Sequence, residues 1–367
     1  GAAPGTATLV IPSSDSTAWY YDTVTAVMTK ITDVDFPGNA GLTTTGSFAH
    51  IDGFAIIMTT DGRIWAGDLN GVTPWTATSF DSANAVPDKG IGCIRYKNLI
   101  LAFGQQSVQF YQNLGLTPFP LSHIPSMTEK VGAVSGDAIT EIGGTVFWCG
   151  SSPEGGLSIF QFNGNLGRVS NAEIDSILIL AGASNISLTT TTFYGLHFVI
   201  VNASTTTVVY CIEEKTWHEW SSTVRLWYKC AGVSIGGTMV NYSISDQSTS
   251  GKVYIQNHAA LEFTDDGTTY TARVQLDPAD LGTNRKKFWH EIEIVGDREE
   301  SASPITLSYS DDDYQTYTTA ATLDLSDARP RATRLGSSRR RAWVLTHSAN
   351  TPMRLEFLEG RATIGAT

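Results

Sequence analysis

Charge is scarce in this sequence. Only 16% of its 367 residues are Asp, Glu, Lys or Arg, while 41% are hydrophobic. A disordered chain needs the opposite balance, so a folded one is expected. Long apolar runs are missing too. The longest, such as Leu99–Phe103 and Ile177–Ala181, fall far short of the roughly 18 residues of a membrane span. No charged-apolar-small leader opens the chain, which begins on Gly1 rather than Met; a trimmed start is expected. Basic residues are the rarer sign, with Lys+Arg 24 against Asp+Glu 36 and a net charge of −12. That balance argues against a general nucleic-acid binder, which must neutralise phosphates.

Cysteine is equally sparse. Cys93, Cys149, Cys211 and Cys230 show no CxxC or Cys/His metal spacing. Three of them lie in or beside apolar strand-like runs, so buried thiols are expected rather than disulfides. Walker A, GxSxG, HExxH, EF-hand and dinucleotide motifs are all absent. Gly132-Ala133-Val134-Ser135-Gly136 has the wrong spacing for a nucleophile elbow and is expected to be a loop. Seven histidines are scattered, and His197, inside an apolar run, is expected to be a satisfied core residue. No catalytic residue, cofactor or metal is expected from these patterns.

What the chain does have is strand. It carries 45 threonines and many aromatics, with few stretches of 3.6-residue apolar period. A hairpin recurs. A Gly or Asn precedes an apolar strand, a polar turn follows, and a second strand alternates. Copies begin at Gly53, Asn98, Gly144, Gly195 and Gly237, separated by 45, 46, 51 and 42 residues. Their apolar strands include Phe54-Ala55-Ile56-Ile57-Met58, Leu99-Ile100-Leu101-Ala102-Phe103 and Val146-Phe147-Trp148-Cys149. Leu9-Val10-Ile11 with Trp19-Tyr20-Tyr21 makes a sixth copy. An all-β unit with this period is the signature of propeller blades, which bury their faces only by stacking on neighbours. A β-sandwich is the alternative, but it gives no reason for a period near 45 residues. One helix is expected from the capping-box spacing Ser170-Asn171-Ala172-Glu173, followed by Ile174, Ile177 and Leu178 on one face.

The repeat stops near residue 264. Residues 1–263 are therefore expected to form an all-β propeller of about six blades, and residues 264–367 a small antiparallel β-sandwich. Charge divides at the same place: 11 basic and 20 acidic residues before it, 13 and 16 after it. Ten of the fifteen arginines lie at or beyond Arg285. Their densest run is Arg329, Arg331, Arg334, Arg339, Arg340 and Arg341. It reads either as a solvated or edge-blunting loop, or as a candidate assembly interface for an acidic partner or phosphate. As an interface, reversing Arg339–Arg341 would weaken assembly and leave the fold intact. Asp311-Asp312-Asp313 offers oxygen ligands to a hard cation or, as the preferred alternative, forms a solvated hairpin turn. Thr59-Thr60-Asp61-Gly62-Arg63-Ile64-Trp65 looks like the Asp-box turn of sialidase propellers, where such turns are structural. A sialidase site also needs converging arginines, and this region has only Arg63, Arg95, Arg168 and Arg225.

Leu101-Ala102-Phe103-Gly104, Ser107-Val108-Gln109-Phe110-Tyr111, Gly115, Lys130-Val131-Gly132 and Val146-Phe147-Trp148-Cys149-Gly150 together resemble the packaged-DNA stabilisation proteins of short-tailed bacteriophages. The resemblance is best over about residues 90–180. Beyond 264, Arg285-Lys286-Lys287-Phe288-Trp289 and Ser308-Tyr309-Ser310-Asp311 look more loosely like the family's C-terminal domain. The family's segment ahead of the propeller is expected to be missing here, in keeping with a trimmed start. The resemblance implies a structural virion protein: a tail hub or nozzle, assembled in the host cytoplasm as a homo-oligomeric ring, typically a hexamer. It would sit below the portal and adaptor with other tail proteins, extend the DNA channel without binding DNA specifically, and hold the genome until ejection. It implies no catalytic site. Two other classes stay open: a carbohydrate-binding or glycan-cleaving, sialidase-like propeller, and a soluble protein-interaction platform.

Overall fold

The computed structural model describes residues 7–12, 16–22, 24–83, 88–151, 156–193, 195–221, 229–235, 238–244, 252–256 and 263–366. Arg225 and the hairpin anchor Gly237 lie outside them. The chain divides into two compact units, Gly1–Gln256 and Asn257–Thr367.

The first unit contains six antiparallel meander sheets among the described residues. The first comprises Ala7–Pro12, Ala18–Asp22 and Val27–Lys30. The second comprises Thr44–Ile51, Phe54–Thr59, Arg63–Gly67 and Trp75–Ser82. Gly90–Tyr96, Leu99–Gly104, Val108–Asn113 and Leu121–His123 build the third. Ile139–Ile142, Thr145–Ser151, Leu157–Phe162 and Leu166–Arg168 build the fourth. The fifth runs through Ile186–Phe193, Leu196–Ala203, Thr206–Cys211 and Thr216–Trp220. Lys229–Ile235, Thr238–Ile244 and Val253–Gln256 form the sixth. The first strand of each sheet lies against the first strand of the next, which is the arrangement of propeller blades around an axis.

The recurring hairpin is the middle of each blade. Its anchor glycines sit in the tight turn between first and second strands, where Asp52/Gly53 and Gly143/Gly144 all have positive φ. Two consecutive positive φ values define the type I′ hairpin turn, and glycine tolerates them without strain. Strands two and three then sit between two edge strands and two neighbouring blades. Alternate residues serve alternate neighbours: Ala55 and Ile57 pack toward the first blade, Ile56 and Met58 toward the third. In the fourth blade Val146 and Trp148 face the third, while Phe147 and Cys149 face the fifth. The expected alternation of the hairpin's second strand is not found. Val108, Gln109, Phe110 and Tyr111 are all buried, because both faces of a third strand are covered.

The innermost strands are latched to one another. Ser47 Oγ accepts from the Cys93 amide at 2.9 Å, joining the second and third blades. Thr189 Oγ1 accepts from the Cys230 amide at 2.8 Å and donates to the Cys230 carbonyl at 3.2 Å, joining the fifth and sixth. Cys93, Cys149 and Cys211 are buried thiols and Cys230 is half-buried. Burial pushes the thiols of Cys93, Cys149 and Cys230 up to about 12.

The helix spans Ala172–Ala181. Its cap is Asn171, whose side chain accepts from the Ile174 amide at 2.9 Å, and not Ser170 as the capping-box spacing implied. The Ser170 hydroxyl is engaged elsewhere: it accepts from the Ile159 amide at 3.0 Å and donates to Asp175 at 2.5 Å. Ile174 and Leu178 are buried against the fourth and fifth blades, with Ile177 packed beside them.

The second unit is a two-sheet sandwich preceded by a short hairpin, Thr264–Asp265 with Thr268–Thr269. One sheet runs in the spatial order Ala272–Gln275, Ala342–His347, Pro304–Ser310, Thr318–Asp324. In the other, Lys287–Gly296 pairs with Leu355–Ile364 and with the short strands Arg331–Thr333 and Ser337–Ser338. Trp289, Ile292 and Ile294 meet Ile305, Leu307, Trp343 and Leu345 in the core. Trp289 and Trp343 are edge-to-face with centroids 5.5 Å apart. A bulge at His290 explains why the 288–295 pattern alternates poorly: it inverts the phase, so that Trp289 and Ile292 reach the same interior. Leu355-Glu356-Phe357, which reads as regular alternation, also holds a bulge, because Glu356 has no partner between Leu355 and Phe357.

Candidate functional site

The six candidate arginines follow the turn that leaves Thr318–Asp324 and surround the Lys287–Gly296 strand. They do not form one surface. Arg329 donates to Glu293 Oε1 and Oε2 at 2.9 and 2.6 Å, and Arg331 to Glu291 at 3.3 Å. The Arg329 guanidinium holds the Glu293 carboxyl below the usual carboxylate range. Arg334 is exposed on a residue of positive φ. Arg339 donates to the Asn284 carbonyl at 3.0 Å, and Arg340 pairs with Asp313 at 2.9 Å.

Arg341 is different. Its side chain is only 2% exposed. It holds Asp311 with two parallel bonds of 2.7 Å, donates to the Leu335 carbonyl, and lies 3.7 Å from the Tyr309 ring centroid. A planar guanidinium suits this combination of fork, carbonyl and aromatic face. Arg341 is therefore part of the interior, and an interface formed by Arg339–Arg341 as a unit is corrected: reversing all three would strike the fold itself.

The aspartates explain the arrangement. Asp311-Asp312-Asp313 occupies the turn between Pro304–Ser310 and Thr318–Asp324. Both oxygens of Asp311 are committed to Arg341. Asp312 accepts from Ser310 Oγ at 2.8 Å and from the Thr316 amide and hydroxyl at 2.9 and 2.5 Å. The Thr316 bonds, followed by Ser310, draw its carboxyl down to about 2. Among the described residues no group of three or more His, Cys, Asp or Glu is placed to hold a metal ion. The turn is a clasp for the arginine run. Sequence reasoning treated the two runs separately; only their opposite sign hints that they meet. It named Lys287 only within the family-like run 285–289 and missed its place in the interior. That residue is fully buried, with Nζ donating to the Thr283 and Arg339 carbonyls.

In the propeller, the Asp-box-like turn is structural. Thr59 Oγ1 donates to Asp61 at 2.6 Å and accepts from Trp65 Nε1 at 3.2 Å, while Gly62 supplies the positive φ. Arg63 pairs with Asp61 and lies over Phe80. Arg95 donates to the Lys97 carbonyl, and Arg168 to Asp175. These three sit on the second, third and fourth blades, each turned to its own local partner, and do not converge on an anion. His197 is not a core residue. It is half-exposed, with Nδ1 2.6 Å from Glu213. No helix among the described residues is long and apolar enough to cross a membrane.

A family of phage-stabilising proteins, described as "Bacteriophage P22 Gp10, beta-propeller", matches residues 3–240. The chain belongs to this family. The matched range takes in the 90–180 stretch that carries the resemblance and runs into the sixth blade. It stops before the sandwich, so the looser likeness there rests on its own residues. It makes this a bacteriophage protein of a DNA-stabilising propeller family. No curated protein matches the chain. Among solved structures, exo-β-1,3-galactanase from Phanerochaete chrysosporium is 8% identical, covering 86% of this chain and 95% of that one with a TM-score of 0.33. BamB from Moraxella catarrhalis is 13% identical, covering 93% and 92% with a TM-score of 0.37. Likenesses this distant carry no argument about the present chain.

Proposed function

We propose that the protein is a structural component of the phage tail, acting as a hub or nozzle without catalytic activity. Copies form a ring, six-fold in this proposal, beneath the portal and its adaptor and in contact with other tail proteins. The ring continues the DNA channel, retains the packaged genome and lets it leave on ejection. The chain is assembled in the host cytoplasm and resides in the virion. The observation that carries this reading is the family match over residues 3–240, through five blades and into the sixth. Charge supports it, because 11 basic against 20 acidic residues over 1–263 make a wall from which DNA is repelled and along which it can slide.

The exposed arginines Arg329, Arg331, Arg334, Arg339 and Arg340 are proposed as contacts to an acidic neighbour in that assembly. Mass photometry of the chain with its tail proteins tests both ideas. Discrete rings are expected, and Arg339→Ala with Arg340→Ala should reduce ring formation while costing no more than about 1 kcal/mol of stability, the worth of exposed contacts. A chain that stays monomeric in the presence of its tail proteins and hydrolyses a glycan would contradict the hub.

A further inference from the structure

The strand Leu355–Ile364 is ten residues long and, among the described residues, lies at the edge of its sheet, paired with Lys287–Gly296 on one side only. Long open edges attract further strands, and proteins usually blunt them with proline, lysine or short length. This one contains neither proline nor lysine, and its bulge at Glu356 lies at one end and leaves residues 357–364 regular. The Gly365 amide donates to the Lys286 carbonyl at 2.7 Å. Period-two alternation therefore turns the amides and carbonyls of Arg361 and Thr363 toward the paired strand. Those of Leu358, Gly360 and Ala362 point out of the sheet edge.

On the outer face of this sheet two carboxylates share one nearby cation, Arg329. Glu359 stands directly opposite Glu293, and like charges across a strand pair repel. Glu293 is already engaged by Arg329, and Glu359 makes no ion pair among the described residues. Arg361, opposite Glu291, is 79% exposed and only 4.0 Å at best from that carboxylate. Phe357 and Phe288 are 56% and 46% exposed on the same sheet.

We infer that Leu355–Ile364 is a docking edge for the same strand of a second copy of this chain, antiparallel and two-fold symmetric about Gly360. In that register Glu359 of each copy faces Arg361 of the other, so each carboxylate gains a direct cationic partner in place of the longer-range pull of Arg329. The charge row then reads Arg331, Glu293, Glu359 in one copy, followed by Arg361 and Glu291 in the other. Leu358 faces Ala362 and extends the two apolar interiors. Phe357 faces Thr363, which already lies opposite Phe288 in its own copy, so an apolar row also crosses the junction. A shift of one residue would break all three matches, because it moves every side chain to the other face. The inference does not rest on the hub proposal: a two-fold contact has no place between neighbours in one cyclic ring, so it would pair free chains before they enter the ring.

Variants of the full chain with one added, exposed cysteine test it, the four native thiols being buried or half-buried. Glu359→Cys and Arg361→Cys are exposed changes and should leave the unfolding temperature unmoved. Under mild oxidation each variant alone should stay unlinked, because position 359 faces 361 and not itself. A mixture of the two should form a disulfide-linked pair, seen on a non-reducing gel. In parallel, Arg361→Glu should weaken the wild-type dimer by roughly tenfold or more in sedimentation, because both cross-pairs become repulsive. No linkage in the mixture, or equal linkage in the single-variant controls, would overturn the inference.

Discussion

The two units solve the problem of buried polar groups in opposite ways. In the propeller, the buried polar side chains among the described residues are hydroxyls and amides, such as Thr59, Thr189, Asn202 and Asn241. In the sandwich they include Lys287, Arg341 and His347. Blades cover one another and meet through regular strands whose backbone groups are already paired, so neutral latches such as Thr189 to Cys230 suffice. The sandwich must instead tie down irregular segments around Asn284, Leu335 and Arg339, where loop carbonyls would otherwise be orphaned. A cation that reaches several of them at once does this. The consequence is a different kind of fragility. The propeller should fail by losing volume, and the sandwich by losing charge.

The largest expected effect is on volume. Trp148 is buried between the third and fourth blades, with ring centroids 5.3 Å from Phe103 and 6.0 Å from Phe160. Trp148→Ala should cost about 3–5 kcal/mol and lower the propeller transition in calorimetry. All four cysteines lie in the propeller, so labelling by a thiol reagent isolates its opening. The variant should label faster at pH 8, where Cys93 and Cys149 are otherwise protonated and covered. Unchanged labelling would mean that the cavity is absorbed by repacking.

Arg341→Ala should cost about 3 kcal/mol, the lower part of the range for breaking a buried pair, because Asp311 keeps contact with water. It should lower the sandwich transition and leave thiol labelling unaltered. Arg341→Met, which keeps much of the volume, should be nearly as damaging; full rescue by Met would show that packing and not charge is at stake. A smaller loss, about 1 kcal/mol, is expected for Thr189→Val, which removes one hydrogen-bonded latch between blades. Here the readout is faster labelling at Cys230.

The smallest effect is a pH dependence confined to the sandwich. Asp312 titrates at about 2 in the folded chain against an ordinary 3.8. Its bonds to Ser310 and Thr316 therefore contribute fully above pH 3.8 and are lost as pH falls through about 2. Thr316→Val should flatten this slope, measured as the sandwich transition between pH 4 and 2, without altering the propeller's.

Much of the propeller was legible because strands two and three of each blade are covered on both faces. Segments such as Phe54–Met58 and Leu99–Phe103 must then be apolar throughout, and the I′ turns at Asp52-Gly53 and Gly143-Gly144 demand residues that tolerate positive φ. The innermost and outermost strands were not legible. Ile186–Phe193 is rich in threonine because its hydroxyls bond the next blade, and Leu166–Arg168 is three residues long; neither leaves a periodic trace. In the sandwich the strands were visible, but the bulges at His290 and Glu356 were not, since a bulge changes phase without changing composition. The aspartate and arginine runs were both conspicuous. Their pairing across 30 residues was hidden because no local pattern encodes which turn a distant arginine will reach.

Imaging of intact phage particles by electron cryomicroscopy tests the central claim most directly. A ring of six-bladed propellers, each followed by the sandwich and placed below the portal and adaptor around the DNA channel, is the predicted result. Particles whose tail density has no place for this chain, or that lack it altogether, would contradict the assignment as a tail hub.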